Sequence, residues 1–197
     1  MIDFPSPKQL RDILIQEILI PSLRRLYEID YNNIESGVSE RNICARLAHH
    51  MENVMREYDH SHDSFLFAGF FADVEYNRMG NGDPKCFENK LKRPQRMVSD
   101  LLIQSRGNEN LLAVEMKRKG YNKGRESDRE RLESMVSPYQ PGQSISKCVH
   151  DTLLGAFIDY SPNEVLIEFY EEINGQGAKS DVQRLQYKST GLERVLQ

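Results

Sequence analysis

The sequence predicts a mixed α/β domain in which helices cover a central sheet. Apolar residues first recur every three or four positions, which is typical of amphipathic helices. From about residue 65 the apolar period changes to two, and five short strand-like segments follow, separated by turn residues. One more helical segment lies between the third and the fourth of them. The predicted order is therefore helices, three strands, a helix and two strands, which favours one sheet with helices packed on it.

The first predicted helix covers residues 7–29. Ser6 can cap its N-terminus, and Pro7 suits its first turn because the backbone N–H that proline lacks is not needed there. Pro21 is expected to kink or break the helix, since it cannot donate the backbone hydrogen bond of the helix interior.

The second predicted helix covers residues 40–57, with Ser39 as its N-cap. Glu40 lies at the start of its apolar stripe, which continues through Cys44, Leu47 and Met51. An acid on such a stripe is expected to face the core or a site at the edge of the core.

The predicted strands begin with one or two in residues 65–78 and continue with residues 98–104 and 111–117. Gly107 lies between the last two and predicts a tight turn, so that they form a hairpin. Asp73 and Glu75 share one face of the first strand segment. Two interpretations of them remain: extra metal ligands, or the polar face of an edge strand.

The rest of the predicted domain is a helix and a second pair of strands. Ser127 is expected to open the helix, with Glu130 completing a capping box. The strands are predicted over residues 152–160 and 164–171. We expect residues 1–173 to form a single domain and residues 174–197 to be a polar C-terminal tail.

The composition of the 197 residues excludes several classes of protein. The chain is long enough to bury a core without disulfides or a structural metal. No apolar segment approaches the length of a membrane span, and no secretory signal is visible, so no membrane partner is expected. Three widely spaced cysteines predict reduced thiols in a cytoplasmic protein. Walker-type glycine loops, G-x-S-x-G and zinc-finger spacings are absent from the sequence.

The charge distribution is uneven. The formal net charge is −4, yet residues 81–96 carry five basic and two acidic residues, and residues 117–131 carry seven basic and three acidic ones. These segments are either ordinary solvated surface or a local footprint for phosphates.

The hairpin carries the most informative residues. If its turn is centred between Gly107 and Asn108, facing residues have numbers that add up to 215, so Asp100 faces Glu115. Two carboxylates within apolar strands repel each other, and a divalent cation relieves the repulsion. Oxygen ligands favour Mg²⁺ or Mn²⁺. Lys117 lies two residues beyond Glu115, on the same face of the strand.

The pattern resembles the PD-(D/E)XK nuclease superfamily, whose motif is an acid on one strand and E-x-K on the next. Asp100, Glu115 and Lys117 match this motif, and Glu40 matches the acid that a preceding helix often supplies. Ser99 stands where the family often has proline. The segments ADVEYNRMG, RMVSDLLIQSRG and NLLAVEMKRKG are also similar to a group of small bacterial nuclease-like proteins. The resemblance implies a restriction-endonuclease-like core, with a mixed central sheet flanked by helices.

The resemblance also implies a site and a reaction. Asp100, Glu115 and the carbonyl oxygen of Met116 would hold Mg²⁺ or Mn²⁺, and Glu40 would reach the ion directly or through water. Lys117 would position or deprotonate the attacking water, or stabilise the transition state. The expected activity is hydrolysis of phosphodiester bonds, in DNA rather than RNA. The expected phosphate-binding residues are Lys90, Arg93, Arg106, Lys123 and Arg125.

Two other functions remain open at this stage. One is a non-catalytic binding or scaffolding subunit of a larger defence or mobile-element assembly, and the other is a hydrolase of a smaller phosphodiester. The short chain also suggests that a partner protein, or a second copy of the chain, supplies targeting. Asp128 is interpreted as an acid in the first turn of a helix, where it interacts favourably with the helix dipole.

Overall fold

A computed structural model of the protein describes residues 4–75, 86–88, 94–96, 98–107, 109–138, 151–188 and 190–195. The first third of the chain is helical. It consists of α1 (Pro7–Ile13), a π-helical segment (Leu14–Leu19), α2 (Ile20–Ile29), α3 (Tyr31–Ser36) and α4 (Glu40–Ser61).

Strands and one further helix follow. In the described residues they are β1 (Phe71–Val74), β2 (Cys86–Glu88), β3 (Pro94–Arg96), β4 (Leu101–Gln104), β5 (Asn110–Arg118), α5 (Arg125–Val136), β6 (Leu154–Tyr160), β7 (Glu164–Ile173), β8 (Gln176–Lys188) and β9 (Gly191–Val195). Seven of the strands form one sheet in the order β1-β4-β5-β6-β7-β8-β9, and β2 pairs with β3 separately.

The large sheet is mixed. β5 and β6 are parallel, and every other neighbouring pair in it is antiparallel. Parallel neighbours need a crossover connection, and the segment between β5 and β6 contains α5. The protein is therefore an α/β protein with an open, mixed, seven-stranded sheet, as the sequence predicted in outline.

Helices cover both faces of the sheet, and β5 lies in its interior between β4 and β6. The larger core joins residues of the N-terminal helices to one face of the sheet, which includes Leu101 and Val114. The smaller core joins α5 to the other face, which includes Leu102 and Ala113. Because both faces of β5 are covered, residues 112–116 are all buried, as is usual for a strand that has a parallel neighbour.

The N-terminal helices confirm two predicted caps. Ser6 forms a capping box with Gln9 at the start of α1, and Ser39 accepts a hydrogen bond from the backbone N–H of Asn42 at the start of α4. Pro21 does not end the helical path. The chain is π-helical directly before it, where Ile20 N–H donates to the carbonyl of Ile15, and α-helical from Ile20 onward. In place of the expected kink or break, the helix changes from π-helical to α-helical at Ile20, directly before Pro21.

The predicted start of α5 is wrong. The helix begins at Arg125 with Gly124 as N-cap, and Gly124 has a positive φ of 82° that suits glycine. The Ser127 hydroxyl donates to the carbonyl of Gly124 and does not accept a capping bond. The S-x-x-E pattern starts within the first turn and ends in the second, because the glycine before it begins the helix earlier.

The expected C-terminal tail is also corrected. Most of residues 174–197 lie in β8 and β9, which extend the sheet beyond β7. Leu185 on β8 and Leu192 on β9 belong to the larger core. β8 has exposed residues along most of its length, which explains why its sequence shows little apolar alternation. None of the helices in the described part of the chain is long and apolar enough to span a membrane.

We expect Leu185→Ala to lower the free energy of unfolding by about 2–5 kcal/mol, because it leaves a cavity at a fully buried position. Urea denaturation measures this change. The matched control is Gln186→Ala, whose side chain is exposed on the same strand, and it should change stability by less than about 0.5 kcal/mol. Equal effects of the two substitutions would show that residues 174–197 do not pack against the core.

Candidate functional site

The β4–β5 hairpin has the predicted register. Leu101 lies opposite Val114 and Leu102 opposite Ala113, so the numbers of facing residues add up to 215. Asp100 directly precedes β4, and the same register places it opposite Glu115. A bulge shifts the register between Ile103 and Gln104, near the turn and away from the two acids.

Asp100 is held by the backbone of the facing strand. The N–H of Met116 donates to its Oδ2 at 2.8 Å. Since the N–H and the C=O of a strand residue point to the same side of the strand, the Met116 carbonyl faces the same way. Burial raises the pKa of Asp100, and the Met116 N–H and the Lys117 charge oppose this rise without cancelling it.

Glu115 is the most deeply buried acid of the site, with an exposed fraction of 1%. Nη1 of Arg131 on α5 donates to its Oε1 at 2.5 Å. Burial and the charge of Asp100 nevertheless raise the pKa of Glu115 well above its ordinary value, and Arg131 lowers it only in part. The pair of facing carboxylates is therefore electrostatically strained in the absence of a further cation.

Lys117 links the hairpin to two helices. Its Nζ donates to Oε1 of Glu40, at the start of α4, over 2.8 Å, and lies 3.3 Å from Oδ2 of Asp128 on α5. This oxygen of Asp128 is buried and, despite the ion pair, forms no hydrogen bond with the described residues. Burial lowers the pKa of Lys117, but the bond to Glu40 and the surrounding carboxylates outweigh burial and raise it, so the ammonium stays charged at neutral pH.

The four residues predicted from the sequence thus lie at one end of β4 and β5, connected through shared contacts. They are Glu40, Asp100, Glu115 and Lys117. Asp128 joins them from α5, where it is in the first turn of the helix as expected but also only 5% exposed. The sequence analysis missed its link to the site. It also missed Arg131, whose only sequence signal is its position three residues after Asp128, the spacing at which their side chains pair on one helix face.

The donors of this cluster fit a hard divalent cation by their chemistry. The acidic groups outnumber the cations, four carboxylates against Lys117 and Arg131, and their oxygens are the ligands that Mg²⁺ and Mn²⁺ prefer. Among the described residues, no three side chains of histidine, cysteine, aspartate or glutamate are already arranged as a metal site. The ion pairs with Lys117 and Arg131 hold Glu40 and Glu115 in their present positions.

The predicted phosphate-binding residues have different surroundings. Arg106 forms a two-point ion pair with Asp73 and lies over the ring of Phe71. Arg125 forms a two-point ion pair with Asp159. Both guanidinium groups therefore have protein partners.

Lys123 is exposed and lines a cavity next to Lys117. Lys90 and Arg93 lie outside the described residues. Asp73 and Glu75, the two acids of the first predicted strand segment, each form an ion pair with an arginine. Asp73 pairs with Arg106, and Glu75 pairs with Arg41, the residue next to Glu40.

Comparison of the chain with protein-family models, curated proteins and solved structures finds no match.

We expect Asp100→Asn to raise the melting temperature of the metal-free protein at pH 7. A carboxyl group whose pKa is raised by folding stabilises the fold below its ordinary pKa of 3.8 and loses this contribution as the pH rises through the raised value. Asparagine cannot ionise, so the variant should melt higher than wild type by a few degrees, at about 2–4 °C per kcal/mol for a chain of this size. The difference should shrink toward pH 4.

Thermal melts in EDTA from pH 4 to pH 8 measure this effect. Asp30→Asn is the control of opposite sign, because hydrogen bonds from His50 and Arg46 outweigh burial and lower the pKa of Asp30. This variant should melt lower than wild type at pH 7. A lower melting temperature for Asp100→Asn as well would show that Asp100 is a structural ion-pair partner.

Proposed function

We propose that the protein is a metal-dependent nuclease that hydrolyses phosphodiester bonds, with DNA preferred over RNA. The observation that carries this proposal is the meeting of Asp100, Glu115, Lys117 and Glu40 at one end of the β4–β5 hairpin. Residues of this type and spacing were expected from the resemblance to the PD-(D/E)XK superfamily. These residues meet only if the register of β4 and β5 places Asp100 opposite Glu115 and if α4 begins beside the end of β5. The structure has both features.

The topology supports the same proposal. The order α4, β1, β4, β5, α5, β6 consists of a helix, three antiparallel strands of the large sheet, a helix, and a strand parallel to the third. This is the order of the restriction-endonuclease-like core that the resemblance implies. Relative to this order, β2 and β3 lie between the first and the second of these strands in the sequence, and β7, β8 and β9 extend the sheet.

The residues divide the proposed chemistry among them. Asp100, Glu115 and the Met116 carbonyl would hold Mg²⁺ or Mn²⁺, with Glu40 beside them. A bound divalent ion supplies an acidified water and neutralises charge that develops on the phosphate. Lys117 stays protonated because the surrounding carboxylates raise its pKa. A protonated Lys117 can orient the water or stabilise the transition state, but it cannot accept a proton from the water.

One observation favours the alternative of a non-catalytic binding subunit. Arg131 forms an ion pair with the buried carboxylate of Glu115, and it also pairs with Asp128. A buried acid that is neutralised by an arginine does not need a metal ion to be tolerated. In this alternative the cluster stabilises the fold, and the protein acts by binding its partner.

We expect Mn²⁺ to bind to the wild-type protein and to raise its melting temperature, because the ion relieves the repulsion between Asp100 and Glu115. Titration calorimetry and thermal melts measure the two effects. The double variant with Asp100→Asn and Glu115→Gln should lose both. The double variant Glu171→Gln with Glu172→Gln, on β7 two strands away from β5, is the charge-matched control and should retain them. Equal Mn²⁺ binding by the two double variants would contradict the metal site.

We expect Lys117→Met to cleave DNA at least about a hundredfold more slowly than wild type with Mg²⁺ or Mn²⁺. Acid–base or electrostatic help of this kind contributes roughly 10²–10⁴-fold to a rate. The variant keeps most of the side-chain stem and loses the charge. Because an ammonium group repels a metal ion, Mn²⁺ should bind to the variant at least as tightly as to wild type. Single-turnover cleavage of a plasmid and calorimetry give the two values.

The control for this experiment is Lys179→Met, an exposed lysine on β8, which should cleave at the wild-type rate. Circular dichroism checks that Lys117→Met is folded, since the substitution leaves Glu40 without its cation and Asp128 with Arg131 alone. Wild-type cleavage by folded Lys117→Met would remove Lys117 from the mechanism. If wild type cleaves no nucleic acid with either metal, the binding-subunit alternative replaces the nuclease.

A further inference from the structure

A cavity of about 470 Å³ lies next to the candidate site, between the turn before α4 and the end of β5. We call it the 117–123 cavity. The lining residues that matter below are Gly37, Glu40, Lys117, Arg118, Tyr121 and Lys123. Glu40 and Lys117 also belong to the candidate site, so a ligand in the cavity would lie beside the proposed reacting groups.

The charge of the cavity favours an anionic ligand. Arg118 and Lys123 form no ion pair with any of the residues that the structure describes, whereas Lys117 already neutralises Glu40. Arg125, Arg129 and Arg131, which follow closely in the sequence, each pair with a carboxylate on a neighbouring strand. Arg118 and Lys123 are thus available to bind an anion, although the chain as a whole has a net charge of −4. A guanidinium and an ammonium group side by side suit a phosphate.

The position of the Arg118 guanidinium depends on a glycine. Gly37 ends α3 with a positive φ of 72°, and a Cβ atom built on it would lie 1.9 Å from Nη1 of Arg118. The guanidinium therefore lies directly against the backbone of Gly37. This contact keeps the charge at the cavity wall.

An aromatic ring completes the cavity. Tyr121 has an exposed fraction of 66%, although it is one of the larger apolar side chains of the protein. Its backbone N–H donates to the carbonyl of Arg118 at 3.0 Å, so the two residues belong to one tight turn, and both side chains line the cavity. An exposed ring beside free cations is the arrangement with which proteins stack an unpaired base and hold its phosphate.

We propose that the 117–123 cavity binds one nucleotide unit with an unpaired base. Arg118 and Lys123 hold the phosphate, and Tyr121 stacks on the base. The volume falls in the range of clefts that hold small ligands, and a base paired in a duplex is not free to stack on the ring. This inference rests on the proposed function and names its substrate: single-stranded DNA, or a single-stranded end, whose bound nucleotide neighbours the phosphate that is cleaved.

The test is equilibrium binding of a fluorescein-labelled ten-nucleotide thymidine strand, compared with a labelled blunt duplex of equal length, in EDTA. Wild type should bind the single strand about tenfold more tightly than the duplex. Tyr121→Ala and Arg118→Ala should each weaken single-strand binding by about tenfold, and Tyr121→Ala should thereby remove the preference for the single strand. Phe65→Ala and Lys179→Ala, which replace an exposed ring and an exposed cation away from the cavity, are the matched controls and should bind as wild type.

Gly37→Ala provides a second variant that substitutes none of Arg118, Tyr121 and Lys123. The new methyl group displaces the Arg118 guanidinium, so single-strand binding should weaken while Tyr121 is intact; a thermal melt checks that the variant is folded. No preference of wild type for the single strand, or the same affinity for the Arg118 and Tyr121 variants as for their controls, would overturn the cavity assignment.

The outcome for the cavity and the outcome for the nuclease are separable. If the variants lose single-strand binding but wild type cleaves nothing with Mn²⁺, the cavity assignment is supported and the nuclease proposal fails. If wild type cleaves DNA and the cavity variants bind and cleave as their controls do, the nuclease proposal stands and the cavity assignment fails.

Discussion

A buried carboxylate in an interior strand of the sheet is the constraint on which the rest of the site depends. Glu115 lies in β5, which is covered on both faces, and burying its charge costs several kcal/mol unless a cation compensates. Arg131 supplies that cation only because α5 crosses over the sheet at this point. The same helix brings in Asp128, which in turn pairs with Lys117. The crossover that makes β5 and β6 parallel therefore also assembles the charges of the site.

The parts of this arrangement that depend on local interactions could be predicted from the sequence. A glycine in a short turn and alternating side chains are sufficient to give the register of the hairpin, and hence the opposition of Asp100 and Glu115. The caps at Ser6 and Ser39 also depend only on residues within one turn of helix. The position of Glu40 on the apolar stripe of α4 predicts that it faces the core or its edge, and Glu40 contacts Lys117 of β5.

The parts that depend on distant partners could not. β8 was mistaken for a polar tail because much of its surface is exposed, and the strand is recognisable only through its pairing with β7. The pairing of Arg131 with Glu115 depends on how α5 packs over β5, which no local pattern encodes. Two neighbouring residues, Gly124 and Ser127, both carry a signal for the start of α5, and the sequence alone favours the serine. Gly124 has the backbone conformation that starts the helix, and the serine hydroxyl then donates instead of accepting.

The basic run of residues 117–131 shows why charge counted along a sequence overstates a phosphate footprint. Five of its seven cations are used within the protein, in ion pairs with Glu40, Glu164, Asp159, Glu168 and Glu115. The other two, Arg118 and Lys123, are the ones that line the cavity. Two phosphate contacts release few counterions and give weak binding at physiological salt. Under the proposed function, affinity for nucleic acid at this surface then comes mainly from stacking on Tyr121 or from a partner, and the stacking depends on the substrate having an accessible end or an unpaired base.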